Sequence, residues 1–202
     1  MPPVTLTLLA VYLSVFLLEP AAGPSLVYWL ALWPPASAGA ATGPDFHLWQ
    51  LVTYSFLHGG TAHILFNMLG LYMFGSDVER LLGSRTYAIY YFACVVSAAL
   101  LHLAVTGWAG APGHPTVGAS GGIYGLLLAY GMYFPRRTVM LIFPPIPMPA
   151  RVFVVVFAAL ELFFGVTGTQ MGVAHFAHLG GMAGGWLMIQ HRRGGFPFGR
   201  RR

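Results

Sequence analysis

Apolar and polar positions along this chain fall in long blocks, with polar residues gathered at the block ends. Six apolar runs stand out: Val4 to Leu18, Ala62 to Val78, Tyr87 to Thr106, Ala119 to Phe134, Val152 to Phe164 and Val173 to Gln190. Their lengths and flanks predict six membrane-spanning helices. The first run ends at Glu19-Pro20 and has no basic segment before it, so it reads as a retained span and not a cleaved signal. Pro24 to Pro35 is also apolar, but prolines bound it and it is too short to cross alone. It is predicted to lie at the membrane interface, where Trp29 and Trp33 are well placed. Ala36 to Gly60 reads as a Gly/Ala/Pro loop followed by an interfacial, partly helical segment, HLWQLVTYSFLHGG. The pattern contains no internal repeat and no second domain. It implies an all-α membrane domain over residues 1–191 and a basic tail over 192–202.

Composition supports a membrane reading. The 202 residues are 57% hydrophobic and 7% charged, whereas a soluble domain carries roughly 25% charged residues. The net charge of +5 does not point to nucleic acid, because all ten basic residues are arginines at the ends of apolar runs. Arg80 and Arg85 lie between runs two and three, Arg136, Arg137 and Arg151 between four and five, and the remaining five after run six. The other three loops contain none. Every arginine therefore falls on one side of a six-span bundle, and the excess of positive charge predicts that this side, with both termini, is cytoplasmic. The absence of lysine and the richness in Ala, Gly, Pro and Arg suggest a prokaryotic source, and hence a plasma (inner) membrane location. The single cysteine, Cys94, has no intrachain disulfide partner and reads as a lipid-facing or packing residue.

Polar side chains inside apolar runs are costly and point to function. Ser120 opens the fourth run among Gly118, Ala119, Gly121 and Gly122. A hydroxyl needs a neighbouring base to act as a nucleophile. His63 and Asn67 share one face near the start of run two, at i, i+4. His178 lies near the start of run six. Counted from the arginines at the far end of each run, Ser120, His178 and His63 lie about 24, 21 and 25 Å away, one shared layer below the outer surface. Gly121, Gly125 and Ala129 in run four, and Ala177, Gly181 and Gly185 in run six, form small-residue faces on which two helices can pack closely. That packing would bring His178 to Ser120. His178 then acts as general base, and the Ser120 backbone N–H with the side chains of His63 and Asn67 stabilises an oxyanion. No acidic residue is expected at this depth. Glu161 is assigned nearer the outer end of run five, and Asp77 and Glu79 near the cytoplasm. The site therefore reads as a Ser–His dyad, with Tyr124 orienting the imidazole in place of a carboxylate.

These residues resemble the rhomboid family of intramembrane serine proteases. The resemblance rests on HILFN at His63 to Asn67, GASGGIYG at Gly118 to Gly125 and AHLGGMAGG at Ala177 to Gly185. Trp49-x-x-x-Thr53 and VERLLGS after run two add to it. It covers nearly the whole chain and implies a six-helix rhomboid-like bundle. The nucleophile falls on Ser120, the base on His178, the oxyanion side chains on His63 and Asn67, the stacking tyrosine on Tyr124, and close-packing glycines on Gly181 and Gly185. It also implies cleavage of single-span membrane proteins near their outer end, with a small residue before the scissile bond and a substrate helix that unwinds easily. No metal or organic cofactor is implied. Two positions depart from the pattern: Gln50 follows Trp49 where arginine is frequent, and the arginine of a Glu-x-Arg motif is displaced by one, to Arg80.

Blander readings compete. A serine among glycines in a membrane helix is commonly a packing residue. His175 and His178 with His63 would suggest a metal set, but no carboxylate or thiol is expected beside them and no HExxH is present. His47, His58, His102, His114 and His191 read as interfacial or solvated. A small transporter with a polar pathway through Ser120, His63 and His178 is the rival class, and a non-catalytic relative that binds membrane helices is a second. The first predicts flux without cleavage.

Overall fold

The computed structural model describes residues 1–35, 44–108, 114–141, 144–169 and 172–194. The Ala36 to Gly60 loop, the 165–172 loop and the basic tail each fall partly outside the described residues.

The predicted apolar runs are helical. The first is α1 (Pro3–Ala22), which continues through Pro20 instead of ending there. A short α2 (Pro24–Leu30) follows, then α3 (Gln50–Thr53) and a single 3-10 turn at Tyr54–Phe56. The second run is one continuous rod: α4 (Thr61–Gly70), a π-helical stretch at Leu71–Gly75, and α5 (Ser76–Leu82). The others are α6 (Ser84–Trp108), α7 (Ser120–Tyr133), α8 (Ala150–Thr167) and α9 (His175–Arg192). Between α7 and α8 an unforeseen hairpin pairs β1 (Thr138–Met140) antiparallel with β2 (Pro147–Pro149), Val139 opposite Met148. Among the described residues three helices, α1, α6 and α8, are long and apolar enough to cross a membrane. Their shares of exposed apolar surface fit a multi-pass membrane protein, because lipid takes the place of water on those faces.

Glycine contacts decide the centre of the bundle. α9 packs most extensively on α6 and α7. A methyl group added at Gly181 would lie 1.8 Å from the Gly121 carbonyl oxygen, so α7 and α9 cross almost backbone to backbone. Gly122 and Gly180 admit Tyr91 and Leu101 of α6 in the same way. Cys94 is fully buried against Gly125, so it is a packing residue.

The bundle ends are tied by polar groups. α1 has no cap of its own. Glu79 supplies one: its carboxylate accepts from the Val4 and Thr5 N–H groups at 2.9 and 2.7 Å, and from the Thr5 and Ser84 hydroxyls. Two orphan donors of α1 are thereby satisfied by a residue of α5. Nearby, Asp77 pairs with Arg80 and Arg137, and Arg193 lies over the Tyr133 ring. The described arginines Arg80, Arg137 and Arg193 thus gather at one end. Arg80 faces solvent and leaves Glu79 to the α1 cap.

At the other end, the Trp49-x-x-x-Thr53 segment has a local purpose. Trp49 Nε1 and Thr53 Oγ1 donate to the carbonyls of Trp29 and Leu30, the last turn of α2. Gln50 is fully buried and accepts from the Trp33 N–H. Leu32 and Thr116 exchange backbone hydrogen bonds of 3.0 and 2.9 Å, which fixes the strand entering α7 just before Ser120.

Candidate active site

Ser120 is the first residue of α7, so its backbone N–H has no acceptor within the helix and its side chain lies at the positive end of the helix dipole. The approach to it is set by Gly118, whose φ of 124° and whose neighbours both demand glycine: an added Cβ would lie 2.6 Å from His63 Nε2. The Gly118 N–H donates to the Tyr54 carbonyl, and the Tyr54 hydroxyl donates to the carbonyl of Val95 on α6.

His178 stands on the first turn of α9. Its Nε2 and Ser120 Oγ are 2.8 Å apart. The Tyr124 ring, one turn along α7, is stacked on the imidazole with centroids 4.2 Å apart and planes 5° from parallel. His63 and Asn67 on α4 face the same space across Gly118. Asn67 is 6% exposed and its side-chain amide nitrogen has no hydrogen-bond partner, a buried donor in the wall of the cavity that Ser120 also lines. His63 Nδ1 accepts from the Gly59 N–H at 3.3 Å, which leaves Nε2 facing Gly118. Ser120, His178, His63 and Asn67 all line one cavity of about 1100 Å³, whose apolar walls include Phe66 of α4 and Phe157 of α8. It therefore lies between the second and fifth apolar runs.

Of the residues singled out in the sequence, Ser120, His178, Tyr124, His63 and Asn67 converge. Gly121 and Gly181 form the closest α7–α9 contact, and Gly125 also approaches the Gly181 carbonyl. Gly185 differs, because its nearest neighbour is the Tyr90 hydroxyl of α6.

One expectation is overturned. A carboxylate does lie at this depth. Glu161 of α8 is 7% exposed, and its Oε2 is 2.6 Å from His175 Nδ1 and 2.9 Å from His178 Nδ1. Its Oε1 accepts from the Tyr124 hydroxyl. Tyr124 therefore stands with a carboxylate and does not replace one. The contact with His178 is an ion-pair approach through Nδ1, the ring nitrogen that does not face Ser120. Counting residues from the arginines places Cα atoms on an upright axis. It leaves out helix tilt and the reach of a glutamate side chain. The sequence did carry a signal: Glu161 is a lone carboxylate in an otherwise apolar run, and the next run opens with the histidine pair His175-x-x-His178. The same three side chains bring their potential ligand atoms within 4.8 Å of one another, whereas the metal set considered from sequence had included His63. Of the two readings of His58, interfacial or solvated, the second is ruled out: it is 4% exposed and packed edge-on to Tyr12 and to His63.

A rhomboid-domain family model matches residues 45–192, nearly three quarters of the chain, a stretch that includes Ser120, His178, His63, Asn67, Tyr124 and Glu161. The chain belongs to the rhomboid family. It is 32% identical over 192 residues to the rhomboid protease GlpG of Serratia proteamaculans, which covers 92% of this chain and 61% of that protein. The GlpG of Pectobacterium atrosepticum is 30% identical with the same coverage. The rhomboid protease GluP of Bacillus subtilis is 29% identical over 141 residues, 69% of this chain and 25% of that protein. This rhomboid thus spans about three fifths of the length of the GlpG relatives.

Proposed function

We propose that this rhomboid is an intramembrane serine endopeptidase that cleaves single-span membrane proteins near the outer membrane face, with Ser120 as nucleophile and His178 as base. The observation that carries the reading is the 2.8 Å approach of Ser120 Oγ to His178 Nε2 at the wall of a large apolar cavity. In the reacting state the Ser120 hydroxyl donates to Nε2. Oγ attacks the scissile carbonyl as the proton passes to His178. The tetrahedral oxyanion is met by the Ser120 N–H, the Asn67 amide and His63. His178 then returns the proton to the leaving amine; in the second half His178 takes a proton from water as it attacks the acyl carbonyl, and gives it to Ser120 Oγ as the C–Oγ bond breaks and the acid leaves.

The cavity is built for a membrane-borne substrate. Its apolar wall accepts an unwound helix segment, while its polar groups are confined to the end holding Ser120. Access runs between the π-helical stretch of the second run and α8, where the Phe74 and Phe153 rings meet at 6.2 Å. With the arginine-bearing end and both termini in the cytoplasm of a prokaryotic cell, Ser120 lies toward the outer leaflet.

The test is cleavage of a single-span reporter in proteoliposomes by wild type, Ser120→Ala and His178→Ala, each confirmed folded by thermal unfolding. Product from wild type and a loss on the order of 10³-fold or more in both variants is expected. Equal product from all three would end the reading. Labelling of wild type by a fluorophosphonate, and not of Ser120→Ala, separates an enzyme from a transporter or a non-catalytic binder.

A further inference from the structure

Glu161 is the buried acid that the two-residue mechanism leaves unused. A carboxylate in an apolar helix is retained only with partners that compensate its charge. Here three side chains surround it: Tyr124 on Oε1, and His175 and His178 on Oε2. Two of the three, Tyr124 and His178, are the stacked pair at the nucleophile. The carboxylate bridges the edges of two near-parallel rings with centroids 4.2 Å apart. His175, 5% exposed, holds the second lone-pair direction of Oε2 and ties the carboxylate to the first turn of α9, next to His178.

We propose that Glu161 is a positioning residue of the reaction, a third member that acts through His178. The inference rests on the Ser120–His178 reading above. When Ser120 Oγ gives its proton to Nε2, His178 becomes a cation in a site of low polarity. The nearest negative charge is Glu161 Oε2, 2.9 Å from Nδ1. No bond to Glu161 forms or breaks and it takes no proton. Its charge offsets the imidazolium that exists only after proton transfer, so it lowers the barrier without adding to substrate binding. The Tyr124 hydroxyl and His175 keep the carboxylate at the ring edge, and the Tyr124 ring keeps the imidazole from turning away from Ser120.

The experiment compares Glu161→Gln with wild type in proteoliposomes, together with Ser120→Ala and His178→Ala. Glutamine keeps the size and removes the charge. Expected is a fall in kcat of roughly 10²- to 10⁴-fold with KM within about threefold of wild type. In a His178→Ala background the same substitution is expected to change the residual rate less than about threefold, since its route of action is already gone. A kcat within about threefold of wild type, or a loss carried by KM, overturns the proposal. So does a full-sized loss that persists without His178. Activity in chelator is expected to match activity without it, and a loss restored by added zinc would overturn the proposal in favour of a metal at Glu161, His175 and His178. If Glu161→Gln does not fold, wild type answers alone. In its phosphonate adduct, with histidine nitrogens isotopically labelled, a low-field proton resonance on His178 Nδ1 is expected, and its absence overturns the proposal. Inactive Ser120→Ala and His178→Ala beside a fully active Glu161→Gln would sink this inference only, whereas active Ser120→Ala would sink the parent reading.

Discussion

At the scale of the residue, Asn67 is expected to serve the reaction and not the fold. Its amide nitrogen is buried and unpaired, and an orphaned donor costs stability, by about 1–3 kcal/mol for a typical buried group. Replacing it removes that cost. Asn67→Ala is therefore expected to lower kcat on the order of 10²-fold with little change in KM, while the unfolding midpoint in detergent stays level or rises. A matching loss of stability would mean that Asn67 is a packing residue. The importance of Asn67 was legible in sequence because its type and its i, i+4 spacing from His63 are local facts. That it lacks a partner was not, since every candidate partner lies on another helix. His58 makes the complementary point. Burial first, and the neighbouring His63 second, hold its pKa down to about 4. In the unfolded chain it titrates near 6.5, so the unfolded state takes up a proton that the folded state refuses until about pH 4. Its contribution to stability is complete above pH 6.5, declines as the pH falls toward 4 and is flat below that. Relative to His58→Gln, wild type should lose stability over that window, as read from unfolding midpoints at each pH. A difference that is constant with pH would place His58 in water.

At the scale of elements, the α7–α9 crossing is expected to govern both stability and activity. The Gly181 Cβ position lies 1.8 Å from a backbone oxygen that cannot swing aside, so Gly181→Ala must push the helices apart. Overpacking of this kind costs about 1–3 kcal/mol. The same shift would stretch the 2.8 Å Ser120–His178 contact, because the two residues sit on opposite sides of the seam. The unfolding midpoint and the rate of fluorophosphonate labelling should therefore fall together; a variant that labels at the wild-type rate would show that the seam does not position the pair. Helix spacing alone predicted a small-residue seam between runs four and six. It did not reveal that α6 shares it, with Cys94 against Gly125 and Tyr90 against Gly185, because periodicity on one helix does not say which neighbour meets each face. The 138–149 hairpin escaped notice for a related reason: its strands are three residues each and β2 begins and ends in proline, too short and too poor in donors for a pattern.

At the scale of the whole molecule, polar groups are divided between two ends. One end carries Arg80, Arg137, Arg193 and Asp77, with the Glu79 cap on α1. The other carries the short α2 and α3, the Leu32–Thr116 bridge and the reacting side chains. The first is a scaffold that joins α1, α5 and the hairpin loop, and the second holds Ser120 rigidly at a helix start. Between them the apolar cavity opens toward α8, which carries both Phe157 and Glu161, so the helix that borders the cavity also supplies the carboxylate beside His178.

The sequence by itself determined the membrane class, the limits of the apolar helices to within about four residues, and the candidate residues Ser120, His178, His63 and Asn67 that converge on one cavity. These depend on run length against bilayer thickness and on residue types at short spacings, and both are properties of a local stretch of chain. Only the tertiary structure decided that Glu161 reaches His178, that His58 is buried and that α6 enters the α7–α9 seam. Each of these depends on how far a helix is turned about its own axis and tilted against its neighbours. That is set by the packing of all the helices at once, and a count of residues along one helix does not contain it.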